Sequence, residues 1–447
     1  MPSRPALLAL LACLSAAQAN PESRHELAAS IDIAEVVSDF RVGFALLTAG
    51  DTQYAAYYDK ERRMTVASRK LDSQQWAYQV LPSQVGWDSH NYITMAMDST
   101  GCLHVSGNMH ADPLVYFRTE KPGDITSLKA FPMTGKQEGR ATYPKFLADP
   151  SGSLLYNYRD GGSGRGNHIY NKYDPATRTW SRFLDKPLFD GETERSSYPS
   201  GPILGPDGFY HMIWVWRDTP DCATNNHLSY ARSKDLIRWE SAFGEAIPLP
   251  IVLSEKQAWV DPIPSGGGII NGGASLLLRP GKAPLISYHK SDADGNMQLW
   301  VARPEKGKWG IHRLTDWDTP VQFGGNGSMG FIGISCSGLE EAGRGLLTMT
   351  YRHRDHGSGR LVIDGKSLKP LDRKLSIVPD FPQSLSATQS DFKGMSIRRA
   401  SDSGKSPDPA VRYMLQWESL GANRDRKPPE PLPQPVMLRL HKLTLRQ

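Results

Sequence analysis

Apolar and aromatic residues come in short runs along this chain, set between clusters of Gly, Pro, Asp and Asn. Helical periodicity is nearly absent. Short runs bounded by turn residues predict strands, so the pattern as a whole is all-β. The turns recur. Asp98-Ser99-Thr100-Gly101, Asp149-Pro150-Ser151-Gly152, Gly205-Pro206-Asp207-Gly208 and Arg279-Pro280-Gly281-Lys282 each separate two strand-like runs. Later strand pairs end alike: Tyr170-Asn171-Lys172-Tyr173-Asp174 leads to Trp180, Tyr230-Ala231-Arg232-Ser233 to Trp239, and Leu299-Trp300-Val301-Ala302-Arg303 to Trp309. Residues 54–76 open the series with the same shape. The repeat spans roughly fifty to seventy residues, the range of four-stranded propeller blades with loop insertions, and about seven such units fill the chain. Val436–Leu445 alternates like a strand after a Pro-rich stretch at 427–435. It predicts a strand that closes the ring against the first blade, because a propeller must hide its open edges. The expected fold is therefore an all-β, seven-bladed β-propeller, one domain over 20–447, with a pair of β-sandwiches as the alternative.

The first residues bear on compartment. Arg4 precedes an apolar run at 6–14, and Ala17-Gln18-Ala19 is a small-x-small cleavage signal that leaves Asn20 first. This predicts a signal peptide over 1–19 and a secreted or periplasmic protein. The apolar run is too short to cross a bilayer. Leu10-Leu11-Ala12-Cys13 is a rival reading, a lipoprotein box with Cys13 as anchor, although Leu11 fits that box poorly. Cys102, Cys222 and Cys336 then remain, an odd number that does not suit a disulfide-stapled scaffold. Lys and Arg total 52 against 47 Asp and Glu, spread without a basic block, which argues against a nucleic-acid surface. A mild positive excess suits a polyanionic substrate. The protein is expected to act as a monomer.

Candidate chemistry follows from hairpin geometry. Residues equidistant from a hairpin's centre face each other about 5 Å apart. Around Thr100, His90 and His110 are equidistant. Around the turn at 150–151, Tyr143 falls opposite Tyr158 and beside Arg159; around Asp207, Tyr198 falls near Trp216 and Arg217. Around Gly281, Asn271 falls opposite Lys290, next to His289. Consecutive hairpins thus offer His, His, Tyr, Arg, Tyr and Arg at the same end, with Tyr92, Trp214 and Trp216 near enough to stack on sugar rings. No pair of carboxylates occupies matching positions, as a typical glycosidase requires. An Arg to neutralise an acid, with Tyr and His to move protons, instead suits β-elimination from a uronate. That reaction needs no redox cofactor.

Trp87-Asp88-Ser89-His90-Asn91-Tyr92, then His104-Val105-Ser106-Gly107-Asn108-Met109-His110 and Pro113-Leu114-Val115-Tyr116-Phe117-Arg118, resemble the propeller polysaccharide lyases with sialidase-type (BNR) repeats, among them ulvan lyases and rhamnose–glucuronate lyases. The likeness continues through Thr142-Tyr143-Pro144, Tyr158-Arg159-Asp160-Gly161, Tyr198-Pro199 and Trp214-Val215-Trp216-Arg217-Asp218-Thr219-Pro220-Asp221-Cys222, and covers about 86–239. It implies a seven-bladed propeller that cleaves rhamnose-(1→4)-glucuronate-type linkages. It implies His90, His110, Tyr143, Arg159 and Tyr198 as the catalytic set, with Arg159 on the uronate carboxylate. Base and acid are left open between the histidines and Tyr143. Tyr92, Trp216 and Arg217 are the substrate-binding candidates. The family's structural zinc makes His211, Cys222, His227 and His289 the ligand candidates.

Plainer readings stand beside these. Arg159 could brace a turn through Asp160, and Arg217 could pair with Asp218 or Asp221. Cys222 could be an ordinary buried thiol, and Cys102 and Cys336 are expected in the core. The rival functions are a sialidase-like glycoside hydrolase and a non-catalytic carbohydrate-binding propeller. Ser291-Asp292-Ala293-Asp294-Gly295 is only a distorted form of the sialidase repeat. A sugar-binding module would not need the His and Tyr-Arg sets.

Overall fold

A computed structural model describes residues 22–446. The signal peptide expected over 1–19, and Cys13 within it, lie outside the described residues. Strands dominate, and the helical segments among the described residues are 3-10 turns of three or four residues. No helix among them is long and apolar enough to cross a membrane.

The strands form sheets that follow one another along the chain. Ala45–Ala49, Thr52–Tyr58, Arg63–Lys70 and Ala77–Gln84 make the first antiparallel sheet. Ile93–Met97, Leu103–Gly107, Tyr116–Thr119 and Leu128–Ala130 make the second. An 11-stranded sheet comes next, whose two halves meet through a single parallel pair, Gly166 with Ser196. A four-stranded sheet around Leu285–Ser291 and Met297–Glu305 follows, then a five-stranded one around Leu346–His353 and Gly357–Asp364. The last sheet joins the two ends of the chain. Val436–Leu445 is the strand expected there, and its partner is His25–Val36, a strand that precedes the first sheet rather than belonging to it.

The recurrent Asp turns have one physical cause. Asp98 Oδ1 accepts from the backbone N–H groups of Thr100 and Cys102 at 2.8 and 2.9 Å, and Asp149 Oδ1 accepts from those of Ser151 and Ser153, both at 2.9 Å. An aspartate that replaces backbone acceptors in this way closes a tight turn. The glycine each turn carries sits at positive φ, 82° at Gly101 and 81° at Gly152.

Neighbouring sheets share apolar layers. Met109, Tyr116, Tyr156, Tyr158 and Trp180 join the second sheet to the third, and Tyr198, Ile213, Ile286 and Tyr288 join the next pair. Trp214 and Trp216 lie in another such layer with Phe189, at 2% and 0% exposure. Trp216 is therefore core rather than a substrate contact. Inward positions near the strand ends, where the apolar layer stops, are left for polar side chains.

Candidate active site

The site begins at the end of the hairpin 93–107. Its ladder keeps the expected register, with Met95 opposite Val105 and Ile93 opposite Gly107. Beyond Gly107 the chain leaves this sheet. His110–Asp112 pairs instead with the next sheet, His110 against Thr142. Asn108 and Ala111 adopt positive φ to make that crossing, 60° and 63°. His90 lies in the loop before the hairpin. Their rings nevertheless meet, with centroids 4.2 Å apart.

Asp88 holds the pair together. Its Oδ1 accepts from His90 Nδ1 at 2.7 Å and its Oδ2 from His110 Nδ1 at 2.5 Å. Burial would raise this carboxyl, but hydrogen bonds from His110 and His90 outweigh burial and hold it well below the usual carboxylate range. Asp425, from the far end of the chain, places Oδ2 3.4 Å from the same His90 Nδ1. Burial works to lower His90; Asp425 and Asp88 overcome it and raise the imidazole to about 9. Neither His90 nor His110 has a partner for Nε2 among the described residues.

Tyr143 is next. It falls at the irregularity between Thr142 and Lys145, where the strand Ala141–Ala148 slips by one residue against Leu154–Gly162. Its backbone sits at φ 59°, a left-handed conformation that a bulky side chain adopts only under constraint. The bulge turns its ring to lie 5.8 Å from His90 and 6.4 Å from His110. Burial pushes the phenol up to about 12, against the pull of the Arg159 charge.

Arg159 lies beneath this ring, its guanidinium 4.9 Å from the ring centroid. It is 0% exposed. Gly166 makes the room, since a Cβ there would meet Arg159 Cδ at 2.9 Å. Its partners are hydroxyls: Nη1 donates to Tyr198 and Nη2 to Thr142 Oγ1, both at 3.3 Å. No carboxylate pairs with it among the described residues, and Asp160 does not brace it. A buried cation without a paired carboxylate is costly, and these hydroxyls offset part of that cost.

The cleft itself has a volume of about 560 Å³ and is lined by His90, His110, Tyr92, Tyr143 and Arg217, with Arg41, Asn271 and His289 farther along. Among the described residues, no Asp or Glu lines it. Arg159 and Tyr198 lie behind the wall. Tyr198 is opposite Val215, and its hydroxyl shares a 2.8 Å hydrogen bond with Ser163. Arg217, by contrast, reaches the wall. It stacks on Tyr198 at 4.5 Å and donates to Ser163 at 3.0 Å and Asn271 at 2.5 Å. It pairs with neither Asp218 nor Asp221. Of the two guanidinium groups, Arg217 thus faces the cleft and Arg159 lies behind it.

The zinc candidates do not converge. His211 Nδ1 meets the Tyr230 hydroxyl at 2.6 Å and its Nε2 meets Asp207 at 2.9 Å, so both ring nitrogens are engaged. Cys222 is buried in a 3-10 turn as a free thiol. His227 Nδ1 meets Asn226 at 2.9 Å, and its ring packs on Trp259. His289 donates from Nδ1 to the Gly268 carbonyl at 2.8 Å, and burial lowers it to about 4, so it is a neutral cleft residue. These four residues do not fit a zinc ion. Among the described residues, Asp88, His90, His110 and Asp425 form the group of three or more whose metal-capable atoms all lie within 4.8 Å of one another. Within this cluster both Nδ1 atoms face carboxylates, and both Nε2 atoms are left without a partner among the described residues. Cys102 is core as expected, but Cys336 is half-buried and lines the cleft.

The sequence reading missed Asp88, Asp425, Ser163 and Arg41. Asp88 could have been found, since it stands two residues before His90 in the same motif. Asp425 carried no signal, because loop packing across the molecule brings it in.

Fold and cleft together define an all-β protein of consecutive antiparallel sheets with a His–Tyr–Arg site at their ends. The BNR repeat-containing family model matches residues 52–317, more than half of the chain, and the chain belongs to that family. It is similar to the short isoform of ulvan lyase from Alteromonas sp. (strain LOR), 35% identical over 149 residues, which is 30% of this chain and 28% of that protein. The long isoform of ulvan lyase from Glaciecola sp. (strain KUL10) is 38% identical over 68 residues, 15% of this chain and 6% of that protein. The matched segments thus span less than a third of either relative. Among solved structures, the polysaccharide lyase Uly1 superposes with a TM-score of 0.60 at 15% identity, covering 94% of this chain and 100% of that one. A PL25 ulvan lyase bound to -[GlcA(1-4)Rha3S]- gives 0.54 at 13% identity, covering 88% and 96%. These two share the fold.

Proposed function

We propose that this protein is a secreted polysaccharide lyase that cleaves a rhamnose-(1→4)-glucuronate-type linkage in an acidic polysaccharide by β-elimination. The observation that carries the reading is the make-up of the cleft. Two histidines, a tyrosine and an arginine line it, and the nearest carboxylate, Asp88, is bonded to both histidines. The likeness to ulvan lyases names the substrate class. We read the consecutive sheets as seven blades of a propeller. The 11-stranded sheet counts as two of them, and His25–Val36 joins the last blade to close the ring.

The chemistry divides among the residues as follows. Arg217 pairs with the C6 carboxylate and stabilises the charge that develops when C5 loses its proton. His110, with Nδ1 donating to Asp88, offers Nε2 to take that proton. Tyr143 keeps its proton at neutral pH and donates it to the departing C4 oxygen. His90 stays charged beside the reacting sugar and adds to the stabilisation. Tyr198 and the buried Arg159 set the orientation and field of Tyr143. No metal enters a step.

The test is ultraviolet absorbance during incubation with ulvan and with a plant gum bearing rhamnose and glucuronate. β-Elimination leaves a C4–C5 double bond conjugated to the carboxylate, so absorbance is expected to rise with one of the two. New reducing ends at flat absorbance would mean hydrolysis and overturn the reading.

A further inference from the structure

The loop that carries Asp425 lies more than a hundred residues beyond the stretch matched by the family model, yet it reaches the candidate site. It is anchored from three directions. Ser328 N–H donates to Asp425 Oδ2 at 2.8 Å, and Arg424 N–H donates to the Ser328 carbonyl at 3.0 Å. Ser89, in the loop before His90, donates to Asp425 Oδ1 from its backbone at 3.2 Å and its hydroxyl at 3.1 Å. The Ser89 and Ser328 hydroxyls are themselves in contact. Lys427 Nζ sits 5.9 Å from the Trp87 ring, which Arg62 covers on its own approach at 3.7 Å. Arg424 and Asp425 both adopt left-handed φ, 52° and 59°. Two consecutive strained residues persist only where the surroundings hold them.

We propose that Asp425 is a positioning residue for His90: with Asp88 it shares the Nδ1 proton, fixing the ring at the cleft wall and keeping it charged. The proposal rests on the lyase reading for its catalytic meaning, but the contact itself does not. A single Asp88 already serves two histidines, one through each oxygen. One carboxylate cannot balance two imidazolium charges. The second carboxylate falls on His90 and not on His110, so it breaks the symmetry of the pair. His90 becomes the held cation, and His110 is left as the residue free to accept a proton. The groups facing His90 are Asp88 from its own loop, Asp425 from the C-terminal loop, His110 from the crossing strand and Tyr143 from the bulge. The two negative ones favour the charged ring, and Tyr143 is neutral up to about 12.

The experiment is a ¹³C-histidine titration of the whole protein by NMR, with the His90 signal assigned by its loss in His90→Gln. In the wild type the midpoint is expected well above that of a free imidazole, and in Asp425→Asn it is expected to fall by about one pH unit or more. Lyase assays across pH should show the alkaline limb of kcat/KM moving down with it, and Asp425→Glu should restore part of both. A His90 midpoint unchanged by Asp425→Asn overturns the proposal, whatever the activity. If that variant does not fold, a wild-type midpoint at the ordinary imidazole value overturns it equally. Absence of any elimination product from the wild type would instead overturn the lyase reading and leave the titration to decide the role of Asp425.

Discussion

Two layers of the site handle charge in opposite ways. In the front layer, His90 and His110 are about one-fifth exposed, and each is bonded to a carboxylate. In the layer behind, Arg159 is wholly buried and has only hydroxyls and aromatic faces around it. The front charges can appear and disappear, because a proton can move between an imidazole and solvent or substrate. The rear charge is permanent, because a guanidinium does not deprotonate in proteins. Under the proposed lyase reading, proton transfer belongs to the front and the standing field to the rear. Tyr143 lies between them, touching His90 on one side and Arg159 on the other.

The largest break in this comparison removes a proton carrier from the front. His110→Ala should lower kcat by about 10²–10⁴-fold with little change in KM, the range for losing a positioned base. Melting temperature should stay near that of the wild type, since the ring is partly solvent-exposed and sits outside the apolar layers. Full turnover in this variant would remove His110 from the chemistry.

The next test separates the two arginines. Arg217→Ala deletes a cation at the cleft wall, so kcat/KM should fall about ten- to a hundredfold, matching the loss of a charge-assisted contact of about 1.5–3 kcal/mol. Arg159→Met deletes a cation that does not line the cleft. It leaves the Thr142 and Tyr198 hydroxyls short of a partner, so stability should drop by about 1–3 kcal/mol. KM should hardly move while kcat falls, because Tyr143 loses the positive charge beneath it. Were Arg159→Met to raise KM and Arg217→Ala to leave it alone, the division between front and rear would be wrong, and Arg159 would be the carboxylate ligand after all.

The same two layers explain what could be read from sequence. His90 and His110 were legible because a hairpin's register is set by its turn, and the Asp98 turn keeps the ladder symmetric up to Gly107. The match survives even though His110 leaves the sheet, since it crosses only to the adjacent strand. Tyr143 was legible as a residue but not as a conformation: symmetry put it opposite Tyr158, and the bulge puts it at positive φ instead. The difference in depth between Arg159 and Arg217 was hidden because strand alternation says which face a side chain takes, not how deep the neighbouring sheets bury it. Trp216 failed for that reason too, an aromatic that turned out to fill the core. The zinc ligands failed because spacing along the chain ignores competing partners, and His211 is saturated by Tyr230 and Asp207. Asp425 depends on loops from separate sheets meeting over the cleft, which no local pattern records.

The smallest effect is on stability, and its sign follows from the front layer alone. His90 holds its proton in the folded protein up to about 9, whereas a free imidazole releases it near 6.5. Between those values the folded state binds more protons than the unfolded one, so stability must fall as pH rises. The His90 contribution is thus complete below about 6.5 and lost once pH has climbed through about 9. A thermal melt series from pH 6 to 10 should show a decline of order 2 °C beyond that of Asp425→Asn, modest because the chain is long and its melting entropy large. Tyr143 adds to the decline only as pH nears about 10, where a free phenol ionises and the folded one does not, so the comparison is read below that value. Equal declines in the two proteins would mean that Asp425 does not hold the charge of His90, and Asp88 alone would account for the titrating front.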